Sequence, residues 1–149
     1  TTTITIGGDT IDGGVGNDVV FGDAGRLVMP QSSTLEANGG SLQAAALAES
    51  EGTSCEVVDL RSLSPIDYGP ILDSVRRTGR MVYAQEAPGN VSVGSEVAAT
   101  VMERAFFALE SPVIRVSGFD VPFPPAKLEG TYLPDADRIL EAVDRALAY

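Results

Sequence analysis

Beyond residue 40 the apolar positions change period several times, and each change marks an element. Ser41–Glu49 is rich in helix formers, opens on a serine suited to capping, and stops near Gly52. Glu56-Val57-Val58-Asp59-Leu60 reads as a short buried strand. Asp67 is placed to cap a helix that tolerates Pro70 in its first turn, turns Ile71, Leu72 and Val75 inward, and ends at Gly79. Arg80–Ala84 is the next strand. Val93, Val97, Val101, Ala105 and Leu109 then recur at four-residue steps, which predicts one long amphipathic helix. Val113–Val116 is strand again, and Asp135 opens a last helix whose inner stripe is Ile139, Leu140, Val143, Ala146 and Leu147.

Strands alternating with helices predict an α/β fold, a three-layer αβα sandwich around a mainly parallel sheet. The first strand should come from Thr34-Leu35-Glu36-Ala37, although Glu36 stands where an apolar residue is expected. It is the weakest element of the pattern.

Glycine draws the one internal boundary. Seven of the sixteen glycines fall within the first 25 residues, interleaved with Asp9, Asp12, Asp18 and Asp23. Residues 1–25 therefore read as an atypical Gly/Asp-rich head, flexible or folded as a hairpin, and residues 26–149 as the α/β domain. Within the head, Gly13-Gly14-Val15-Gly16-Asn17-Asp18-Val19-Val20-Phe21 matches the nonapeptide of calcium-binding β-rolls. Asp9 and Asp18 would then face adjacent turns and offer hard oxygen ligands. Such rolls need about three repeats or more, and only one full copy is present. Calcium binding, if the head has any, is expected to be weak, and removal of the head is expected to leave thermal stability nearly unchanged.

Composition narrows the function. At 149 residues the chain suffices for one domain with a real core. With no long apolar run and no basic-then-apolar start, it is expected to be soluble, with neither a membrane span nor a signal peptide. The net charge of −11, with ten scattered basic residues, argues against nucleic acid and suits a positively charged partner, although simple solubility also explains it. No histidine is present, which removes Ser-His-Asp and Cys-His chemistry and the commonest general base. Cys55 is the single cysteine and opens an apolar run, so it reads as a buried structural thiol.

Several motifs, in order, carry a resemblance. They are Cys55–Asp67, Thr78-Gly79-Arg80, Gln85-Glu86-Ala87-Pro88, Leu109–Val116 and Gly118–Pro124, followed by Tyr132-Leu133-Pro134-Asp135. Residues 26–149 thereby resemble the C-terminal transketolase-like domain of the β subunit of 2-oxo acid dehydrogenase E1. The wording around Phe119-Asp120 and the aromatic end at Tyr149 lean towards its branched-chain and pyruvate members.

The resemblance implies an assembly role in a thiamine-diphosphate- and magnesium-dependent oxidative decarboxylation complex in the cytoplasm. No cofactor or metal is expected on this chain alone, and it is not expected to be catalytic by itself. The implied partners are the E1 α subunit, a second E1 β subunit and the peripheral-subunit-binding domain of E2. Two residues carry over as partner-binding: Glu110, just before a small-residue-Pro step, and Tyr149, through its terminal carboxylate. An ordinary solvated acid is the alternative for Glu110, and an ordinary strand-end polar residue for Gln85, which occupies a position held by His or Gln in the family.

Local readings complete the picture. Asp59 and Arg61 could pair at a strand end, and Asn38-Gly39-Gly40-Ser41 could offer backbone amides to an anion, although glycine before a helix is common punctuation. Two other functional classes stay open at this stage. One is an independent α/β enzyme with a carboxylate site around Glu86, Asp120 and Glu129; the other is a calcium-dependent extracellular module led by the head.

Overall fold

A computed structural model describes residues 4–6, 9–11, 20–23, 40–60 and 62–149 of the chain, with side-chain surroundings from residue 43 onward. In chain order the strands are β1 (Ile4–Ile6), β2 (Asp9–Ile11), β3 (Val20–Asp23), β4 (Glu56–Asp59), β5 (Val82–Pro88) and β6 (Ile114–Gly118). The helices are α1 (Gly40–Ser50), α2 (Gly69–Thr78), α3 (Val93–Ala105), the single turn α4 (Glu129–Tyr132) and α5 (Ala136–Leu147).

Four strands pair in the order β2-β1-β4-β3 and two more as β5-β6, with β3 lying alongside β5 so that the two sets continue one another. Among the described residues only β1 and β2 pair antiparallel; β1–β4, β3–β4 and β5–β6 are parallel. The mainly parallel α/β architecture expected from the alternation is the one observed.

Strand alternation explains the three layers. Val57 of β4 and Val82 and Ala84 of β5 point to one face, where they meet Ala44, Ala45 and Ala48 of α1 and Ile139, Val143 and Ala146 of α5. Val58, Met81 and Tyr83 point to the other, against Ile71 and Val75 of α2 and Val97 and Val101 of α3. A sheet covered on both faces must be apolar at successive positions, which is why β4 and β5 read as continuous runs. Each fully buried aliphatic side chain contributes about 1.5–3 kcal/mol relative to exposure. Cys55 is fully buried at the edge of the first cluster, as its context predicts.

Helix boundaries follow local chemistry with small departures. Asp135 caps α5, its carboxylate accepting the Arg138 N–H at 2.9 Å. Asp67 does not cap α2 directly; Tyr68 holds the cap position, and the Asp67 carboxylate accepts the Gly69 N–H at 2.9 Å. Gly79 ends α2 in the left-handed region, at φ 72°, with its N–H on the Val75 carbonyl. The long helix expected through Leu109 stops at Ala105 and tightens into a 3-10 turn over Phe106–Ala108. Leu109 still packs onto the second core cluster, from extended backbone.

Part of the Gly/Asp-rich head is built into the sheet: Val20–Asp23 pair in parallel register with Glu56–Asp59. The expected first strand at 34–37, the amide cluster at 38–39, Arg61 and most of the nonapeptide, Asp18 included, lie outside the described residues.

Candidate functional site

Polar groups gather at the two opposite ends of the sheet. At the amino-terminal end, the segments leading into β5 and β6 meet the end of α5. Arg80, directly after Gly79, has a side chain only 13% exposed. A guanidinium so enclosed needs partners for its donors. Its Nη1 donates to Glu110 Oε2 at 2.5 Å and its Nε to the Ala146 carbonyl at 3.1 Å. That carbonyl belongs to the last turn of α5, where a cation is favoured by the helix dipole. The Glu110 N–H in turn donates to the Gly79 carbonyl at 2.7 Å.

Glu110 is thus held from behind, while its side chain stays 62% exposed. It does not sit as a lone acid at a helix terminus; it leads from the 3-10 turn towards β6 and has a fixed cationic partner. Tyr149, 74% exposed, follows α5 by two residues, so both sequence-predicted partner residues lie at the end of the molecule that Arg80 ties together.

At the carboxyl-terminal end, Gly89 and Asn90 after β5, Ser117 to Asp120 at and after β6, and Arg138 on α5 line an open cleft of about 260 Å³. Clefts at this end of parallel strands are where open α/β folds usually place ligands. Here the charged groups are already engaged. Arg138 donates to the carbonyls of Ser117, Tyr132 and Leu133 at 2.6, 3.5 and 3.4 Å, and its guanidinium lies 4.9 Å above the Phe119 ring. Asn90 donates to the Asp120 carboxylate.

Behind the cleft, buried Gln85 donates to the carbonyls of Ala87 and Pro88 and accepts the Gly94 N–H at 2.9 Å. It pins the irregular end of β5 to the start of α3, the structural role expected of a strand-end amide. The Gly89 carbonyl accepts from Ser92, Ser95 and Arg115, which fixes the connecting loop.

The carboxylate triplet considered for an independent enzyme does not converge on this cleft. Asp120 lines the cleft, but neither Glu86 nor Glu129 does. Among the described residues no group of three or more acidic, histidine or cysteine side chains is placed to hold a metal, and the cleft's one arginine is spent on backbone carbonyls.

Sequence periodicity missed an apolar surface. Phe106 and Phe107 stack edge-on, centroids 5.2 Å apart, and stand exposed beside Met102 at the end of α3. Phe119, Val121 and Phe123 are exposed near the cleft, as is Val91, whose φ of 47° is unusual for a β-branched residue. Two adjacent phenylalanines breaking a four-residue apolar step were the available signal for the first group; Val91 gave none.

The fold agrees with the comparisons to known proteins. Residues 39–139 match the model of the transketolase C-terminal domain. The chain belongs to that family. It is 72% identical over 109 residues to the pyruvate dehydrogenase E1 component subunit beta of Leifsonia xyli subsp. xyli, covering 73% of this chain and 32% of that protein. It is 49% identical over 94 residues to the 3-methyl-2-oxobutanoate dehydrogenase subunit beta of Mycobacterium tuberculosis, covering 63% of this chain and 27% of the relative. A solved structure described as a split gene transketolase, inactive beta4 tetramer, superimposes with a TM-score of 0.69 at 34% identity, covering 90% of this chain and 39% of that one.

The chain therefore spans about a third of the length of the curated relatives it matches. The family match begins at residue 39, beyond the calcium-roll-like nonapeptide, and lends that reading no support. No helix among the described residues is long and apolar enough to cross a membrane.

Proposed function

We propose that this chain is an assembly domain of the β subunit of a 2-oxo acid dehydrogenase E1 component. In that role it pairs with the E1 α subunit and a second β subunit, and docks the peripheral-subunit-binding domain of E2 at the Glu110–Tyr149 end. The complete enzyme would decarboxylate pyruvate or a branched-chain 2-oxo acid with thiamine diphosphate and magnesium, in the cytoplasm. The chemistry is proposed for the whole assembly; this domain contributes surfaces.

Similarity to E1 β subunits carries the reading, and two features of the molecule support it. The chain has a net charge of −11, suited to a basic partner, and at the amino-terminal end of the sheet an exposed carboxylate is held in place by Arg80. Exposed phenylalanines at positions 106, 107, 119 and 123 offer the apolar surface that subunit contacts cover.

Calorimetric titration of the full chain with an E2 peripheral-subunit-binding domain tests the docking part. Saturable binding should weaken at high salt and weaken by about tenfold in Glu110→Ala, the loss expected for one charge-assisted contact of about 1.4 kcal/mol. A folded chain that shows no binding, or binding indifferent to Glu110 and to salt, would remove docking from the proposal.

A further inference from the structure

Resting on the docking reading above, we infer that Arg80, seated on Gly79, is the positioning residue of that face. It presets the Glu110 carboxylate and the last turn of α5, which leads to Tyr149, as one fixed pair of partner-facing groups.

Three constraints converge on Glu110. Arg80 is largely enclosed and bonds in two directions at once, to Glu110 Oε2 and to the Ala146 carbonyl. Because the guanidinium is rigid and planar, it fixes the separation between these two groups, which a flexible ammonium would not do. Secondly, a Cβ at Gly79 would fall 2.9 Å from both Glu110 Cδ and Cγ and 3.2 Å from Oε1, so the Glu110 side chain lies in the room that glycine leaves. Thirdly, the Glu110 N–H is bonded to the Gly79 carbonyl, which fixes the backbone from which the side chain departs.

Electrostatics gives the arrangement its purpose. A carboxylate brought beside the carbonyl end of a helix meets a like-signed field, and a free acid there would swing into solvent. Arg80 lies between the two and offsets that repulsion. Glu110 nevertheless stays more than half exposed, so its outer side is open to a second cation. An incoming basic side chain meets an acid whose rotamer freedom is already lost, and the ordering cost of binding falls accordingly.

The test uses the full chain as wild type and as R80Q, R80K, E110Q and R80Q/E110Q, with folding checked by thermal melts and affinity measured against the E2 peripheral-subunit-binding domain. R80Q should weaken binding by about tenfold, R80K should restore only part of it, and the double variant should bind no worse than R80Q alone. The coupled loss is what a merely structural arginine would not produce. Unchanged or tighter binding by folded R80Q, or additive losses, would overturn the inference. If R80Q does not fold, R80K carries the same expectation of weakened binding. If the wild type itself does not bind, the docking reading falls alone. The hold of Arg80 on Glu110 is then decided by the wild type, R80Q, E110Q and R80Q/E110Q in chemical denaturation, where coupling between the two sites supports it and strict additivity overturns it.

Discussion

Gly118→Ala is the most sensitive probe of how the end of the sheet is built. Gly118 closes β6 and is aligned with Pro88 of β5. A Cβ at this position would lie 2.3 Å from the Glu86 carbonyl oxygen and 2.6 and 2.7 Å from Cε1 and Cζ of Tyr132. The first contact is with backbone, so relief requires the β5–β6 pairing to open. The second is with a ring that is 4% exposed and packed edge-on against Phe123 at 5.1 Å. Neither neighbour can step aside without loss. Overpacking of this kind costs about 1–3 kcal/mol, and a backbone clash places it near the top, at about 3 kcal/mol. For a domain of this size each kcal/mol lowers the melting temperature by about 2–4 °C, so the drop should be about 6–12 °C. Gly130→Ala is the control, since a Cβ there meets nothing within 4 Å. It should leave the melting temperature unchanged or slightly raised, by restricting the unfolded chain. Circular-dichroism melts at one scan rate decide the matter. Should Gly118→Ala melt within about 2 °C of wild type, or should both variants fall equally, the close approach of β5, β6 and Tyr132 is wrong.

Three other perturbations test separate parts of the fold. Glu56→Ala removes the acceptor of Ser74 and Arg77, the former 1% exposed, and should cost about 1–3 kcal/mol, read as a lower denaturation midpoint at unchanged slope; an unmoved midpoint would show the buried carboxylate is dispensable. Arg138→Ala releases three carbonyls and the Phe119 ring, so limited proteolysis between residues 118 and 133 should accelerate while helix content holds; an unchanged cleavage rate would remove Arg138 as the clasp of that segment. Deleting residues 1–25 takes away both strands paired to β4, one of which lies beside β5, and should lower the melting temperature substantially; a temperature within about 2 °C of the full chain would show that the rest of the chain closes its sheet without them.

That last expectation reverses the one drawn from composition, and the reason is instructive. Val20–Asp23 offers two apolar positions, Val20 and Phe21, before a glycine and an aspartate, too short a run to outweigh its surroundings. Its strand identity comes from β4, whose Glu56–Asp59 register it matches residue by residue. Elements with their own strong pattern were legible by contrast. The α5 stripe of Ile139, Val143 and Ala146 is buried as its spacing requires, and Asp135 caps where it was expected to. The stripe on α3 was right about burial and wrong about conformation: Leu109 reaches the same core after the helix has ended, because extended backbone can carry a side chain to the place where the next helical turn would have put it. Periodicity reports which residues face the core more faithfully than it reports the backbone between them.

The candidate site was legible in a different way. Glu110 and Tyr149 entered through family wording, and nothing in their local sequence marks them. The residues that organise them come from elsewhere in the chain: Arg80 stands 30 positions before Glu110 and 66 before Ala146. No window of sequence holds all three, so no local pattern could join them; only the α/β winding, which returns each strand's start to the same end of the sheet, brings them together. The same winding gathers Asn90, Asp120 and Arg138 at the opposite end, yet there the groups satisfy each other and the backbone. The asymmetry is informative. At the cleft the arginine is consumed by backbone carbonyls, whereas at the other end an arginine holds a carboxylate that stays exposed. Among the described residues, Glu110 combines an exposed carboxylate with a fixed, largely enclosed cationic partner, the combination on which the docking proposal rests.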